Sequence, residues 1–143
     1  MSHPPQTPRD VPAGFMPLDL GTGYGALFGS MYRRAGESEF ILGFYAERHH
    51  MNNFESCHGG AIAFVADMQL AAVKSLTGNG EGHYPTKQLT VDYIAPIKLG
   101  DWTEMKVELV RMTRKSIYTH GVISVDDKSV VRTTAIYHVP HNQ

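Results

Sequence analysis

Asp67 is the residue whose surroundings point most directly to chemistry. Residues three and four positions apart are neighbours on a helix surface, and around Asp67 these positions are all apolar: Ala63, Phe64, Leu70 and Ala71. An ionised carboxylate on such a face costs several kcal/mol unless it is compensated. This placement is typical of a general acid or base. A structural aspartate bonded to a backbone amide, or to an arginine across an interface, explains it equally well.

The triplet His58-Gly59-Gly60 stands where the same helix is expected to begin. The first N–H groups of a helix have no partner inside it and lie at the positive end of its dipole. Glycines there let a ligand approach the backbone closely, as a thioester carbonyl would when negative charge builds on its oxygen. A glycine turn that only tightens the entry into the helix is the simpler alternative.

The spacing of these two candidates has a consequence for the assembly. Gly59 and Asp67 are eight residues apart, which is about 12 Å along one helix at about 1.5 Å per residue. That distance is too long for one group to hold a carbonyl oxygen while the other attacks the carbonyl carbon. If both act on one substrate, they come from different chains, so a catalytic function requires at least a dimer with two equivalent sites.

The helix that carries both candidates is predicted from about His58 to Leu76, closed by the glycines of Gly78-Asn79-Gly80. Its composition is apolar on most faces, which is typical of a buried helix wrapped by other elements. The rest of the chain must therefore provide that wrapping.

Period-two alternation and short turns predict the wrapping as strands. A turn at residues 35–38 and another at 126–129 each separate two alternating segments. The predicted strands run through residues 27–34, 40–46, 89–93, 104–109, 117–125 and 130–139. Long strands joined by short turns indicate an antiparallel sheet. We therefore expect an α+β hotdog fold, in which a curved antiparallel sheet of five or six strands wraps around a central α-helix.

Length and composition predict a single folded unit. The chain has 143 residues, of which 42% are hydrophobic and 19% charged, as is typical of one globular domain. Four prolines among the first twelve residues disfavour regular structure there. We expect residues 1–14 to form a flexible tail, or an arm laid over a neighbour, and residues 15–143 to form a single hotdog domain.

Charge and cysteine content limit the classes of binding partner and indicate the cellular compartment. The net charge of −1 argues against non-specific binding to nucleic acid or to an anionic membrane, so phosphate recognition must come from a few local cations. Cys57 is the single cysteine, which fits a reducing compartment. The N-terminus lacks the pattern of a secretory signal, and no uninterrupted apolar stretch approaches the length of a membrane span. We expect a cytoplasmic protein without a membrane partner.

Taken together, these motifs resemble those of the hotdog-fold acyl-CoA thioesterases of the phenylacetate-catabolism type. The resemblance covers about residues 27–139. It is carried by Asn52, His58-Gly59-Gly60, Asp67, the strand Val91-Asp92-Tyr93-Ile94-Ala95-Pro96, and Gly100-Asp101.

The resemblance implies a role for individual residues. Asp67 would be the nucleophile or general base, and the Gly59 amide of the opposite subunit would polarise the thioester carbonyl. Asn52 would position the hydrolytic water or the substrate, and the Thr86 hydroxyl would assist that water. The resemblance also implies a dimer that pairs again into a homotetramer, and it implies no metal and no cofactor beyond the coenzyme A of the substrate.

Substrate contacts are expected at both the loop and a distant turn. Gly60 would border the substrate at the helix start, and Glu55, which replaces a usual glycine, adds an acid near the entrance. Arg114, Lys115 and Ser116 fall in a turn that resembles a family segment contacting coenzyme A. These cations could hold phosphates, although a solvated turn is the plainer interpretation.

Two further sites are set aside. The adjacent Cys57 and His58 do not form a convincing nucleophile pair, since neighbours entering a helix point in different directions. His58 is expected instead to hold the loop by hydrogen bonding, and Cys57 to pack. The eight histidines show no metal-ligand spacing.

The function predicted from the sequence is hydrolysis of an acyl- or aryl-CoA thioester to the free acid and CoA. A hotdog hydratase or dehydratase acting on acyl thioesters is one alternative. A non-catalytic acyl-CoA binding module is the other.

Overall fold

The computed structural model describes residues 10–79 and 81–141. Its strands are β1 (Met16–Leu18), β2 (Met31–Ala35), β3 (Phe40–Tyr45), β4 (Thr86–Tyr93), β5 (Trp102–Met112), β6 (Ser116–Val125) and β7 (Lys128–His138). Its helices are α1 (Tyr24–Phe28), a 3-10 turn (Arg48–His50), α2 (Gly59–Asp67) and α3 (Gln69–Thr77). The described strands form one antiparallel sheet in the order β1-β2-β3-β5-β6-β7-β4. The hotdog fold is confirmed, with seven described strands where five or six were expected.

The sheet is built from hairpins whose turns were recognisable in the sequence. β6 and β7 are joined through Asp126 and Asp127, both at positive φ (49° and 62°). That geometry matches the right-handed twist of the two strands, and aspartate tolerates it. The turn between β2 and β3 also lies where it was predicted.

The first predicted strand was wrong at its start, and one strand was not expected. Leu27 lies in α1, and the strand begins only at Met31, after Gly29 turns the chain at φ 98°. β1 has only three residues, one of them Pro17, and it is part of the sheet because it pairs with β2. A segment that short has too little periodicity to be read from sequence.

The central helix is interrupted, whereas a continuous helix was predicted. Met68 separates α2 from α3, and its N–H bonds to the Val65 carbonyl three residues back rather than four. The Asp67 carbonyl accepts a hydrogen bond from the Tyr137 hydroxyl at 2.7 Å. A sheet side chain therefore bonds the backbone at the break. α3 ends as predicted at Gly78, which adopts a left-handed conformation (φ 71°).

The core lies between the concave face of the sheet and one side of the two helices. It contains Ile62, Val65 and Ala72 from the helices. Leu42, Met105 and Val131 face them from three strands of the sheet, β3, β5 and β7. Because α2 and α3 are covered on one side only within a single chain, their other side carries half-buried apolar residues such as Phe64 and Ala71.

The predicted flexible tail, residues 1–14, lies only partly within the described residues. Residues 1–9 of the expected tail lie outside the described residues. Where the description begins, the Asp10 carbonyl accepts a hydrogen bond from the Tyr45 hydroxyl at 2.8 Å. Phe15 packs edge-to-face on Trp102 at 5.1 Å. Residues 10–15 therefore lie against the chain's own sheet.

The Gly59–Thr77 segment is long and apolar enough to pass as a membrane span by length and composition, and a third of it is buried. The expectation concerned an uninterrupted apolar stretch, and Asp67, Gln69 and Lys74 interrupt this segment. A hotdog core helix has the same character, because the sheet wraps it.

Candidate active site

Asp67 ends α2, and its carboxylate is met by side chains of the sheet. Its Oδ1 accepts a hydrogen bond from the Thr86 hydroxyl at 2.8 Å. The Tyr137 hydroxyl, which bonds the Asp67 carbonyl, lies 3.5 Å from the same oxygen. No arginine or lysine among the described residues forms an ion pair with Asp67, and its Oδ2 makes no hydrogen bond there. The half-buried carboxylate therefore has one oxygen held and one available.

Strand register explains why Thr86 and Tyr137 meet at Asp67. Thr86 begins β4 and pairs directly with Tyr137 of β7, which also pairs with Ile117 of β6. Burial, and then the neighbouring Asp67 charge, raises the pKa of Tyr137 far above its usual range. The phenol therefore stays protonated and acts as a donor. Tyr137 was not predicted, because an aromatic residue in an alternating strand is indistinguishable from a core residue.

A buried polar network lies beside the helix break. Gln69 begins α3, and its side-chain amide donates to the Ala66 carbonyl at 2.9 Å and to the Thr133 hydroxyl at 3.2 Å. Its carbonyl oxygen accepts from Thr119 at 2.8 Å. All of these groups are satisfied, which makes the network a rigid support for the interruption. It holds the helix backbone at Ala66, the residue before Asp67.

His58 caps the other end of α2. Its Nδ1 accepts a hydrogen bond from the Gly60 N–H at 2.8 Å, so His58 holds the loop in the way expected. The Gly59 N–H donates to no group among the described residues. A donor at the positive end of the helix thus remains free for a ligand.

Tyr93 of β4 fixes the helix start from the sheet side. Its hydroxyl donates to the Gly59 carbonyl at 2.7 Å, and a Cβ at residue 59 would lie 3.4 Å from that hydroxyl. A cavity of about 290 Å³ opens here, bordered by Gly59, Ile62 and Tyr93. The strand motif that contains Tyr93 and the motif His58-Gly59-Gly60, which together carry the family resemblance, are therefore in contact in the structure.

The loop before α2 has a defined internal structure. The Asn52 side-chain oxygen accepts the N–H groups of Phe54 (2.8 Å) and Ser56 (3.2 Å), while its amide donates to the Ser56 hydroxyl. Asn52 thus shapes the loop in this single chain and does not meet Asp67. Glu55 has a φ of 61°, the left-handed conformation that favours the glycine it replaces. Its exposed carboxylate lies 3.8 Å from Arg48.

The turn between β5 and β6 lies at the same end of the sheet as Asp67. Ser116 pairs with His138, the neighbour of Tyr137, and its hydroxyl accepts a hydrogen bond from Lys87 at 3.2 Å. Arg114 and Lys115 are exposed there. Lys87 was not predicted, although it adjoins Thr86 in the sequence. The turn therefore places cations at the end of the sheet where Asp67, Thr86 and Tyr137 lie.

Cys57 and His58 do not form a nucleophile pair in this arrangement. Burial raises the pKa of Cys57 to about 11, so the residue is a packed thiol, and His58 directs its Nδ1 at Gly60. Over residues 10–79 and 81–141 there is no group of three or more His, Cys, Asp or Glu side chains that could hold a metal ion.

The predicted residues thus fall into separate groups within one chain. Asp67 and Thr86 are in contact, and the β5–β6 turn lies at the same end of the sheet. Gly59, Gly60 and His58 lie at the opposite end of α2, nine residues long, with Asn52 and Glu55 in the loop before it. A second cavity, of about 690 Å³, borders Asp67 between α3 and the strands β1 and β2.

Comparison with known proteins gives this arrangement a family. A model of the thioesterase superfamily matches residues 54–131, which include both ends of α2, Thr86 and most of the sheet. A Pseudomonas aeruginosa protein whose name calls it an esterase is 20% identical over 92% of this chain and 98% of its own length.

Solved structures share the fold at low sequence identity. Zebrafish thioesterase superfamily member 2 has a TM-score of 0.76 at 14% identity, covering 84% of this chain and 88% of that one. A Streptococcus pneumoniae thioesterase protein with coenzyme A has a TM-score of 0.69 at 21% identity, covering 78% and 90%. The PaaI protein of the Escherichia coli phenylacetic acid degradation operon has a TM-score of 0.69 at 18% identity, covering 79% and 85%.

Proposed function

Since the chain belongs to the thioesterase superfamily, we propose that it hydrolyses an acyl- or aryl-CoA thioester to the free acid and CoA. The observation that carries the proposal is the Asp67 carboxylate, with Oδ1 bonded to Thr86 and Oδ2 unpartnered among the described residues. A carboxylate that forms no ion pair is poised to take a proton or to attack a carbon.

The carbonyl of the substrate needs a donor that Asp67's own surroundings lack. The free Gly59 N–H has the right chemistry, because it lies at a helix N-terminus where negative charge is stabilised. Along α2 it is about 12 Å from Asp67. We therefore propose that the thioester binds between two chains, on Gly59 of one protomer and Asp67 of its partner.

Two routes balance from this geometry. In one, Asp67 removes a proton from a water whose oxygen attacks the thioester carbon; the C–S bond breaks and CoA leaves as a thiolate. In the other, an Asp67 oxygen attacks the thioester carbon directly, the C–S bond breaks, CoA again leaves as a thiolate, and water then hydrolyses the mixed anhydride at one of its two carbonyl carbons. Label found in the Asp67 carboxylate after a single turnover in heavy-oxygen water identifies the second route with water attack at the Asp67 carboxyl carbon, since the first route never transfers a water oxygen to the enzyme.

The remaining site residues are assigned supporting roles in this proposal. Thr86 orients the carboxylate or the attacking water, and Asn52 and His58 shape the loop that presents Gly59. Arg114 and Lys115 bind the phosphates of coenzyme A, with Gly60, Glu55 and Ser116 bordering the substrate. The neighbouring structure that contains coenzyme A supports this choice of carrier. A homotetramer and a cytoplasmic location stay predictions, to be checked by solution mass and by cell fractionation.

The proposal is tested first with Asp67→Asn. We expect kcat on an active acyl- or aryl-CoA to fall by about 10²–10⁴-fold, the usual contribution of a general base, while the fold is retained. Asp126→Asn is the matched control, because asparagine tolerates the same turn conformation. Equal turnover by Asp67→Asn and the parent would exclude the assignment. Binding without thiol release by the parent indicates a binding module, and an enoyl product without thiol indicates a dehydratase.

The two-chain site is tested by mixing. Homodimers of Asp67→Asn and of Gly59→Pro should each be inactive. After subunit exchange, half of the dimers are mixed and each has one intact site, so about a quarter of the parental activity should return. If the two residues act within one chain, mixing restores no activity.

A further inference from the structure

The 690 Å³ cavity beside Asp67 is bordered by one stripe of side chains that begins at the end of α2 and continues along α3. Asp67, Leu70, Ala71 and Lys74 all border it, at the spacing of residues that share a helix face. Asp67 and Lys74 are seven residues apart across the break at Met68, which is roughly 10 Å at the helical rise. The stripe thus runs from the proposed reacting group, past two apolar residues, to an ammonium group.

An arginine borders the same cavity from the sheet. Arg33 pairs directly with Leu42, a core residue that is 1% exposed. Directly paired residues point to the same face of a sheet. Arg33 is therefore on the concave, helix-facing side, whereas the next residue, Arg34, lies over the Phe15 ring on the other face. A charged group on a concave face is costly unless something compensates it.

No carboxylate compensates these two cations in the described part of the chain. Neither Arg33 nor Lys74 forms an ion pair there. Asp19 also borders the cavity, but it is exposed and its Oδ1 accepts the Gly21 N–H at 2.8 Å. Two half-buried cations thus border the cavity without an ion pair among the described residues.

We propose that this cavity binds the far carboxylate of a dicarboxylic acyl group, so that the substrate is a diacid monothioester of coenzyme A. This rests on the proposed function, because it places the thioester at Asp67. Allowing about 4 Å for the ion pair within the roughly 10 Å from Asp67 to Lys74 leaves about 6 Å between thioester carbon and carboxylate. That span suits an acyl chain of about four to six carbons.

The experiment compares adipyl-CoA with hexanoyl-CoA, which share the carrier and the chain length and differ in the terminal carboxylate. We expect the parent to prefer adipyl-CoA by at least about 10-fold in kcat/KM, since hydrogen bonds to charged groups have that magnitude. Arg33→Gln and Lys74→Gln should each lower kcat/KM for adipyl-CoA by about 10- to 100-fold. Both should leave hexanoyl-CoA within about twofold, which also shows that the variants fold.

Arg34→Gln is the matched control, because it removes the adjacent arginine from the opposite face of the same strand. It should leave both substrates unaffected. If Arg33→Gln and Lys74→Gln slow both substrates equally, the cations bind the coenzyme A phosphates and the proposal is overturned. A parent that prefers hexanoyl-CoA also overturns it, and in both cases the hydrolase assignment stands. Failure to release thiol from any acyl- or aryl-CoA overturns the proposed function together with the diacid site.

Discussion

The two ends of α2 differ in the part of the chain that supplies their chemistry. At the start, the group available to a ligand is a backbone N–H, that of Gly59, and most of its support comes from residues 50–60 nearby in the sequence. At the end, the group is the Asp67 side chain, supported by Thr86, Tyr137 and Gln69. The start is a local structure of the chain, whereas the end depends on the register of the sheet.

This difference shows what each end can tolerate. A backbone donor survives substitution of its side chain as long as the N–H remains and the new Cβ fits beside Tyr93. A side-chain carboxylate cannot be replaced, and its direction depends on contacts that are distant in sequence. Four measurements sharpen or break this comparison.

Of these four, the largest effect is expected from removing the Gly59 N–H. Gly59 is the first residue of α2, where proline is accommodated, and His58 has the extended ψ of 135° that a residue before proline needs. Gly59→Pro should lower kcat by about 10²–10³-fold, as does loss of one oxyanion donor. Gly59→Ala adds a Cβ but keeps the N–H and should retain most activity. Equal losses in the two variants would mean that crowding, and not the donor, matters.

Acid should lower the free energy of unfolding through protonation of His50, which lies in the 3-10 turn before α2. This residue is 2% exposed, its Nε2 donates to the Phe28 carbonyl at 2.7 Å, and its Nδ1 accepts the Glu47 N–H. Burial, opposed by the bond to Phe28 and assisted by the neighbouring His49, lowers the pKa of His50 to about 4.

The folded chain therefore binds this proton less readily than the unfolded chain, in which the pKa is near 6.5. The contribution of His50 to the free energy of unfolding is fully present above pH 6.5. It decreases as the pH drops toward 4 and does not change further below that pH. The loss should be on the order of 3 kcal/mol, measured by urea unfolding at several pH values. In His50→Gln the slope in this window should decrease, and an unchanged slope would assign it to other groups.

Tyr137→Phe tests the support of the opposite end. The variant leaves the half-buried Asp67 carbonyl without its donor at the helix break, which should cost about 1–3 kcal/mol of unfolding free energy. Activity should fall as well, because the break sets the direction of Asp67. Tyr84→Phe is a control, since its hydroxyl contacts Asn79 and not the site. Loss of stability without any change in kcat would show that Tyr137 does not position the carboxylate.

Thr86 should give the smallest effect. Thr86→Ala removes the hydrogen bond to Asp67 Oδ1, and a loss of about tenfold in kcat is expected for one such contact. Thr86→Ser keeps the hydroxyl and should restore kcat to near the parental value. If both variants behave alike, the contact seen here does not orient the carboxylate during turnover.

Much of the fold was predictable because it depends on local patterns. The alternation of residues 117–125 and 130–139, with two aspartates between them, predicts a hairpin without reference to the rest of the chain. The long apolar segment after His58 likewise predicts a helix that other elements cover. The three-residue β1 and the helix break at Met68 were not predictable, since pairing with β2 and a bond from Tyr137 create them.

The candidate site divides in the same way. The types and spacing of Gly59 and Asp67 identified both candidate residues, and the helical rise alone separates them by about 12 Å, but the sequence placed Asp67 inside a continuous helix and not at the end of α2. Only the tertiary structure decided that Thr86 and Tyr137 meet at Asp67, and that Arg33 lies on the concave face while Arg34 does not. Spacing along a helix is fixed by backbone geometry within the chain segment itself. Contacts between strands depend on register, which is set by the packing of residues far apart in the sequence.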